Sequence, residues 1–374
     1  MFFNFIFLGF TMVDKYLKSN WLLFIVLIFA ISRIIMYYQF GLANTLILNG
    51  KGTFAATMCK WDCRWYLTII NDGYDHAIRT SPRIWKGLAN WAFFPLYPNI
   101  VGFISKITTL GPVLTGILLN QLFVFIAAIY FYLLLRLNFS DLNSRFGVVL
   151  LVFSPFSVYF ASLYTEALFI MLSVAGFYYL RSSREVAAGI LGALLGATRP
   201  VGIMLMVPIF INFVRHRKPF TKMILVLAIA GAGLVCFMLF LQYRAGDFLA
   251  FQHIQKGWGR NGWDTTHLGK QLWAMVTDYH NSLLFLMSCL LSIYMLMKKY
   301  YEEALFNLAC ILPGVLTGTM MSEGRFCGTL FTFYFGLVVL AEKSWTIKIS
   351  VLMISLVLYM SYYVYWVGHA NFLI

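Results

Sequence analysis

Apolar runs separated by short polar segments recur along the whole chain. A helix needs about 20 predominantly apolar residues to cross the hydrocarbon core of a bilayer, and shorter runs suffice where other helices surround them. The pattern predicts an all-α polytopic membrane protein with a bundle of about eleven spans. Their expected ranges are 21–38, 112–135, 146–162, 166–180, 186–198, 200–214, 222–242, 281–297, 304–321, 326–341 and 348–367.

One further apolar segment, 92–107, is not expected to cross. It contains Phe93-Phe94-Pro95-Leu96-Tyr97-Pro98, and each proline removes a backbone donor and restricts the residue before it. We interpret the segment as an interfacial or re-entrant juxtamembrane helix. The first outer loop then covers 39–111 and a second covers 242–280, and both should form the active-site face.

Basic residues fall in alternate connections, as cytosolic ends of membrane helices do. An odd number of spans then leaves the C-terminus and all long polar loops on the non-cytosolic face. The apolar segment 1–13 lacks the features of a cleaved signal peptide, so we expect it to remain. The cytosolic connections are too short for a nucleotide-binding domain, which favours a substrate that is already in the membrane.

The composition supports this class, with 61% hydrophobic and only 11% charged residues. So few charges could not cover a soluble domain of this length. The net charge of +14 is spread over short clusters between apolar runs, which argues against nucleic acid as a partner and for contact with membrane lipids. No repeat or linker divides the chain, so 1–374 is interpreted as a single domain.

The first long polar interruption contains Lys60-Trp61-Asp62-Cys63-Arg64-Trp65-Tyr66-Leu67. Trp61, Trp65 and Ile69 recur at helical spacing, which predicts a short helix lying on the membrane with these side chains on one face. Asp62 and Tyr66 share the adjacent face. A carboxylate held at the water boundary is well placed to act on a substrate that is half lipid, although a solvated charge or helix cap is the alternative.

Two other acidic residues are candidates. Asp72 and Asp75 bracket the turn at Gly73-Tyr74, and we favour Asp75 for facing the site. Glu166 follows Thr165 between two apolar runs. It either lies in the first turn of a helix, where the dipole favours it, or faces a cavity, as ionisable residues at membrane depth usually do.

Three arginines are candidates for holding a phosphate, because the guanidinium fork can bind it through two hydrogen bonds. Arg199 and Arg325 lie in predicted outer turns, and Arg33 lies within the first span. The alternatives are an ion pair between Arg325 and Glu323, or extension of the arginines to the membrane interface.

The loop 248–263 is rich in amide and indole side chains, including Gln255 and Trp258. This composition predicts contact with a sugar, and the alternative is an aromatic belt at the membrane interface. Histidines at 253, 267 and 280 lack metal-ligand spacing, so we expect no cofactor; a divalent metal stays possible without an evident site. Cys59 and Cys63 are not completed by a second pair, and we assign them to neither a disulfide nor a metal site. Gly192 and Gly196 are interpreted as close helix packing.

The ordered set of motifs resembles the PIG-V family of GT-C mannosyltransferases. The residues that carry the resemblance are Trp61-Asp62, Trp65-Tyr66, Gly73-Tyr74, 92–98, Phe153-Ser154-Pro155, Tyr164-Thr165-Glu166, Thr198-Arg199, Gln255, Trp258 and Arg325-Phe326. Cys63 departs from it, because a small residue is expected there. The chain is also shorter than the eukaryotic members, which suggests a prokaryotic relative.

The resemblance implies a GT-C fold and a membrane glycosyltransferase that moves mannose, with inversion, from a polyprenyl (dolichyl) phosphate donor to a lipid-linked or cell-surface glycan. It implies an outward active site in a bacterial inner membrane, or in the ER membrane if the source is eukaryotic. The expected roles are general base for Asp62; hydroxyl positioning for Asp75 and Glu166; phosphate binding for Arg199, Arg325 and Arg33; and sugar contact for Trp61, Trp65, Tyr66, Tyr164, Gln255 and Trp258. The alternatives are a lipid-linked sugar transporter or flippase, and the same fold with a different sugar donor.

Overall fold

A computed structural model describes residues 20–81, 86–260, 276–317 and 319–368. Regular structure in these ranges is helical, which confirms the predicted class. The helices are α1 (Trp21–Leu48), α2 (Phe54–Met58), α3 (Cys63–Asp72), α4 (Leu96–Thr108), α5 (Pro112–Arg136), α6 (Asp141–Val152), α7 (Ser157–Ala161), α8 (Glu166–Arg181), α9 (Glu185–Gly196), α10 (Met206–Arg215), α11 (Phe220–Ala245), α12 (Ala250–His253), α13 (Tyr279–Met297), α14 (Tyr301–Val315), α15 (Glu323–Gly328), α16 (Phe331–Ala341) and α17 (Trp345–Val367), with 3-10 turns at Asn90–Ala92, Pro200–Leu205 and Ile254–Trp258.

Five of these helices are long and apolar enough to cross a membrane: α1, α5, α11, α13 and α17. The chain is therefore an integral membrane protein. Other apolar helices, such as α9 and α16, are shorter, and the predicted count of eleven spans stays a prediction.

Two predicted boundaries were wrong. Helix α1 continues to Leu48, so the first loop begins after Leu48 and not at residue 39. The span predicted at 146–162 is divided into α6 and α7. Pro155 lies at the break, where its missing N–H prevents a continuous hydrogen-bond ladder, and the Ser154 hydroxyl instead accepts a hydrogen bond from the Phe156 backbone N–H at 3.0 Å.

The proline-containing segment forms α4, a helix of 13 residues. At a rise of 1.5 Å per residue it is about 20 Å long, which is less than the roughly 30 Å hydrocarbon core. Its length agrees with a juxtamembrane helix that does not cross on its own.

Several helix ends follow the rules of capping. The side chains of Ser140, Asp278 and Ser344 each accept a hydrogen bond from the backbone N–H three residues later, at the starts of α6, α13 and α17. Helix α11 ends at Gly246, whose φ of 72° is the left-handed conformation that favours glycine. These local signals fix where the loops begin.

Helices α9 and α11 pack closely through glycines, as the spacing of Gly192 and Gly196 predicts. A Cβ atom on Gly192 would lie 2.9 Å from the Cβ of Ala230, and one on Gly196 would lie 3.3 Å from the backbone nitrogen of Leu234. Small residues at such crossings let two helices approach each other closely.

Ion pairs hold together helix ends that take no part in the cavity described below. Buried Glu302 and Glu303, at the start of α14, pair with Arg181 at 3.3 and 2.7 Å. Buried Glu185, at the start of α9, pairs with Lys218 and Lys222 at 2.6 and 2.8 Å. The basic residues that the sequence assigns to the cytosolic face therefore also join neighbouring helices.

Candidate active site

A cavity of about 1000 Å³ is lined by several connections of the bundle and by the helix ends beside them. Its lining comes mainly from five segments, 56–66, 88–94, 198–204, 251–260 and 310–330. The intervening connections 137–140, 182–184, 216–219, 298–300 and 342–344 contribute none of the lining residues. Both long loops of the described chain thus face one cavity.

Asp62 lies in this cavity at the N-terminal end of α3. Helix α3 begins at Cys63, so the predicted helical stripe of Trp61, Trp65 and Ile69 was wrong at its first member. Trp61 has a φ of 44°, a left-handed conformation that is strained for a bulky residue. Trp65 and Ile69 do share one face of α3, but both are buried against protein.

Three contacts hold the strained turn in place. Cys59 and Cys63, on either side of it, form a disulfide. The Lys60 ammonium donates to the backbone oxygens of Trp366 and Val367 at 2.6 and 3.1 Å, at the C-terminal end of α17. The Trp61 ring packs edge-on against that of Trp366 with centroids 4.7 Å apart. The backbone before Asp62 is therefore tied to the last helix of the chain.

The disulfide corrects the sequence interpretation, which assigned no such role to these cysteines. The two Cα atoms are 5.1 Å apart, within the range that a disulfide needs, because the chain makes one tight turn between Cys59 and Cys63. It also explains why Cys63 departs from the family pattern. The C-x3-C spacing was the available signal.

A chain of ion pairs connects the charged residues of the site. The Asp62 carboxylate pairs with Arg325 at 2.8 Å. Arg325 pairs on its other side with Glu166 at 3.3 Å, and the same oxygen of Glu166 pairs with Arg199 at 3.2 Å. Asp62, Arg199 and Arg325 all line the cavity. Helix α15, the turn before Pro200 and the start of α3 thus bring distant sequence positions together.

Glu166 does not lie on the cavity surface. Its side chain is only 3% exposed, and it holds both arginines from behind the wall. A hydroxyl-positioning role, which requires direct contact with a sugar, does not fit this placement. The structure instead makes Glu166 a group that orients Arg199 and Arg325.

An aromatic wall lies beside these charges. The rings of Trp65 and Phe93 are stacked with centroids 5.7 Å apart, and Trp258 packs edge-on against Trp65 at 5.6 Å. Of the sugar-contact candidates, Trp61, Trp65, Tyr66, Gln255 and Trp258 line the cavity. Tyr164 does not; its hydroxyl donates to the Lys60 backbone oxygen at 3.1 Å.

Two predicted site residues lie elsewhere. Arg33 donates to the Gln121 side chain at 2.8 Å and to the Val152 backbone oxygen at 3.2 Å, inside the bundle and away from the cavity lining. Asp75 forms a two-pronged pair with Arg79 and accepts a hydrogen bond from the Asn90 backbone N–H at 3.0 Å. Arg33 and Asp75 therefore contact other residues of the protein and not the cavity. A charged side chain close to the membrane needs such partners even where it takes no part in a site.

Arg260 is the cavity residue that sequence reasoning missed as a cation for the site. It lies next to Trp258 in a loop whose amides and indoles suggested sugar contact. Phe326 belongs to the motif that carries the family resemblance. Its ring lies against the guanidinium groups of Arg199, Arg260 and Arg325, whose central carbons (Cζ) are 4.8, 5.4 and 5.2 Å from the ring centroid.

The described residues contain no group of three His, Cys, Asp or Glu side chains that could hold a metal ion. His253 pairs with Asp247 at 2.7 Å, and His280 contacts the Tyr362 hydroxyl at 2.7 Å. The remaining histidine of that loop, at 267, lies outside the described residues. The expectation that no metal is needed stays a prediction.

Comparison with known proteins gives a family and a fold. The family model for mannosyltransferase (PIG-V) matches residues 22–257. Two crystal structures of the oligosaccharyltransferase of Archaeoglobus fulgidus are similar. One is tethered through a disulfide to an acceptor peptide with the NVT sequon; it is 13% identical, has a TM-score of 0.52 and covers 93% of this chain and 56% of its own. The other is a complex with Zn and sulfate, 15% identical, with a TM-score of 0.49 and coverage of 88% and 53%.

This chain thus spans about half the length of those structural neighbours, and at this identity the likeness shows the fold alone. No curated protein matches. The neighbours have the GT-C fold, which agrees with the helical bundle and its loop-built cavity. The family model covers more than half of the chain, including the Asp62 turn and the Arg199 turn. The chain belongs to the PIG-V mannosyltransferase family and has the GT-C fold.

Proposed function

We propose that the protein transfers mannose from a polyprenyl-phosphate donor to a hydroxyl of a lipid-linked or cell-surface glycan, with inversion at the anomeric carbon. The observation that carries the proposal is the meeting of Asp62, Arg199 and Arg325 in one cavity beside an aromatic wall. A base, cations for a phosphate and surfaces for a sugar are the parts that such a transfer needs.

The proposed step is a single displacement. The acceptor hydroxyl oxygen attacks the anomeric carbon while its proton passes to the Asp62 carboxylate. The bond between the anomeric carbon and the phosphate oxygen breaks, and its electron pair remains on the departing polyprenyl phosphate. Arg199 and Arg325 stabilise the second negative charge that develops there, and attack from the side opposite the leaving group inverts the configuration.

The ion pair between Asp62 and Arg325, 2.8 Å long, supports a proposed order of events. A donor phosphate competes with Asp62 for the Arg325 guanidinium. Once the phosphate is bound, Asp62 has one fewer cation holding its electron pair and is a better proton acceptor. Donor binding therefore prepares the base, and Glu166 keeps Arg325 in place during the exchange.

A membrane-borne donor is supported by the short intervening connections, of which none in the described chain exceeds four residues. They offer no domain that could hold a nucleotide sugar. The disulfide between Cys59 and Cys63 supports a cavity on the non-cytosolic face, since disulfides persist in oxidising compartments.

The donor is tested with purified protein in detergent and a set of labelled mannosyl, glucosyl and aminoarabinosyl polyprenyl phosphates, with GDP-mannose in parallel. We expect release of polyprenyl phosphate from the mannosyl lipid in the presence of a glycan acceptor. Preferred release of polyprenyl phosphate from another sugar lipid means that the protein uses that sugar donor with the same fold. Transfer from GDP-mannose without lipid contradicts the proposal.

The disulfide provides a second test. Replacing both Cys59 and Cys63 by serine should lower kcat roughly 10- to 100-fold with little change in KM, because misplacing a catalytic group by about 1 Å has an effect of that size. Treating the wild-type protein with a phosphine reductant should give the same loss. Both rates are measured with the mannosyl lipid.

Cys236→Ser is the matched control, because Cys236 is an exposed free cysteine on α11. It should keep the wild-type rate and, under reductant, should lose activity as the wild type does. Full activity of the reduced wild-type protein, with reduction verified by thiol counting, would show that the disulfide does not position Asp62.

A further inference from the structure

Three arginines surround the Phe326 ring, but only two of them are compensated. Arg325 pairs with Asp62 and Glu166, and Arg199 pairs with Glu166. Among the described residues, no carboxylate forms an ion pair with Arg260. The cluster of three guanidinium groups and two carboxylates therefore has one positive charge left over, and it lies at Arg260.

The nearby carboxyl of Glu323 does not remove this excess. It is buried, and burial raises its pKa to about 8, so that at neutral pH it is mostly protonated and uncharged. A Cβ atom on Gly314 would lie 2.1 Å from one of its oxygens, so the glycine leaves room for this side chain within the wall.

The hydrogen-bond donors of Arg260 are also incompletely used. One terminal nitrogen donates to the Met321 backbone oxygen at 3.1 Å. Its Nε is buried and has no hydrogen-bond partner among the described residues. Buried donors are normally satisfied, and a guanidinium that lines a cavity with donors unused is suited to bind an anionic oxygen there. The side chain lines the same cavity as Asp62.

We propose that Arg260 is a third phosphate-binding residue of this cavity, and that it takes the charge of the donor phosphate directly while Arg199 and Arg325 keep their carboxylate partners until the donor arrives. The inference rests on the proposed polyprenyl-phosphate donor. Of the three arginines around Phe326, the one without a carboxylate partner matches the single negative charge of a phosphodiester, and the second charge of the leaving phosphate then falls to Arg325. Arg260 thus contributes to donor affinity, and Arg325 to departure of the leaving group.

The test measures binding of farnesyl phosphate, a short polyprenyl phosphate, and of farnesol, its uncharged counterpart, by titration calorimetry of the full chain in detergent. Arg260→Gln should weaken the Kd for farnesyl phosphate at least about 10-fold, as expected for loss of a hydrogen bond between charged groups, and leave farnesol binding unchanged. Lys256→Gln is the matched control: it removes the same charge from an exposed residue of the 3-10 turn just before Arg260, and Lys256 does not line the cavity. It should bind as the wild type does.

Equal affinity of the wild type and Arg260→Gln for farnesyl phosphate overturns the inference, as does an equal loss for farnesol. Should Arg260→Gln fail to give folded protein, Arg260→Met decides, because it keeps an unbranched apolar stem but removes the charge; an unchanged Kd for farnesyl phosphate then contradicts the role. A wild-type protein that binds neither ligand counts against the polyprenyl-phosphate donor itself. The failure of the donor proposal is therefore distinct from the failure of Arg260 alone.

Discussion

Asp62→Asn is expected to lower turnover about 100- to 10,000-fold, the range that general-base catalysis typically contributes. The amide keeps a side-chain oxygen that can accept the hydrogen bond from Arg325, so the fold of the loop should survive. What it loses is the ability to take a proton from the acceptor hydroxyl. The measurement is the release of polyprenyl phosphate from the labelled mannosyl lipid, with binding of farnesyl phosphate as a check of the folded site.

Asp72→Asn is the matched control for this substitution. Asp72 is the exposed last residue of α3, the same helix that Asp62 precedes, and it does not line the cavity. It should keep the wild-type rate. If Asp62→Asn turns over as fast as the wild type, or if both variants lose activity equally, Asp62 is not the base.

Arg325→Gln should have the second large effect, on both turnover and stability. Removal of a donor that stabilises developing charge costs about 100- to 1000-fold in rate. The substitution also leaves buried Glu166 with Arg199 alone and leaves Asp62 unpaired. Breaking a buried ion pair costs about 3 to 5 kcal/mol in the free energy of unfolding, so the thermal midpoint in detergent should fall clearly.

A double variant separates these two effects. Arg325→Gln combined with Glu166→Gln removes one positive and one negative charge. It should regain part of the lost stability, because no buried carboxylate is left short of a partner, but not all of it, because Arg199 loses the carboxylate that it pairs with. Turnover should stay low, since the cation for the leaving phosphate is still absent. Recovery of turnover in the double variant would show that Arg325 serves only to pair with Glu166.

The residues of the site differ in how far sequence reasoning could place them. Asp62 and Arg325 are 263 positions apart, yet each could be singled out, because a charge at a predicted outer turn has few structural reasons to be there. Arg33 was singled out as a charge within the first predicted span, and its outcome was different. Its guanidinium satisfies a side-chain amide and a backbone oxygen of neighbouring helices, and no local pattern distinguishes such a partner from a substrate.

Glu166 and the cysteines show a second limit. The sequence left Glu166 between a helix-start role and a cavity role. It does lie in the first turn of α8, and in addition it pairs with two arginines from distant parts of the chain. The cysteine spacing permits a disulfide, but only the tight turn at Trp61 brings the two Cα atoms to bonding distance. Such turns depend on contacts made far away, here with Trp366.

The apolar runs and the prolines were sufficient to predict that this chain is a helical membrane protein and where most helices begin, because these features act within a few residues of backbone. The choice of which charged side chains share a cavity, and which merely neutralise one another inside the bundle, was made by the tertiary structure. That choice depends on how the helices pack against each other. A buried charge needs a partner in either case, and the sequence does not show whether this partner is a substrate phosphate or another residue of the protein.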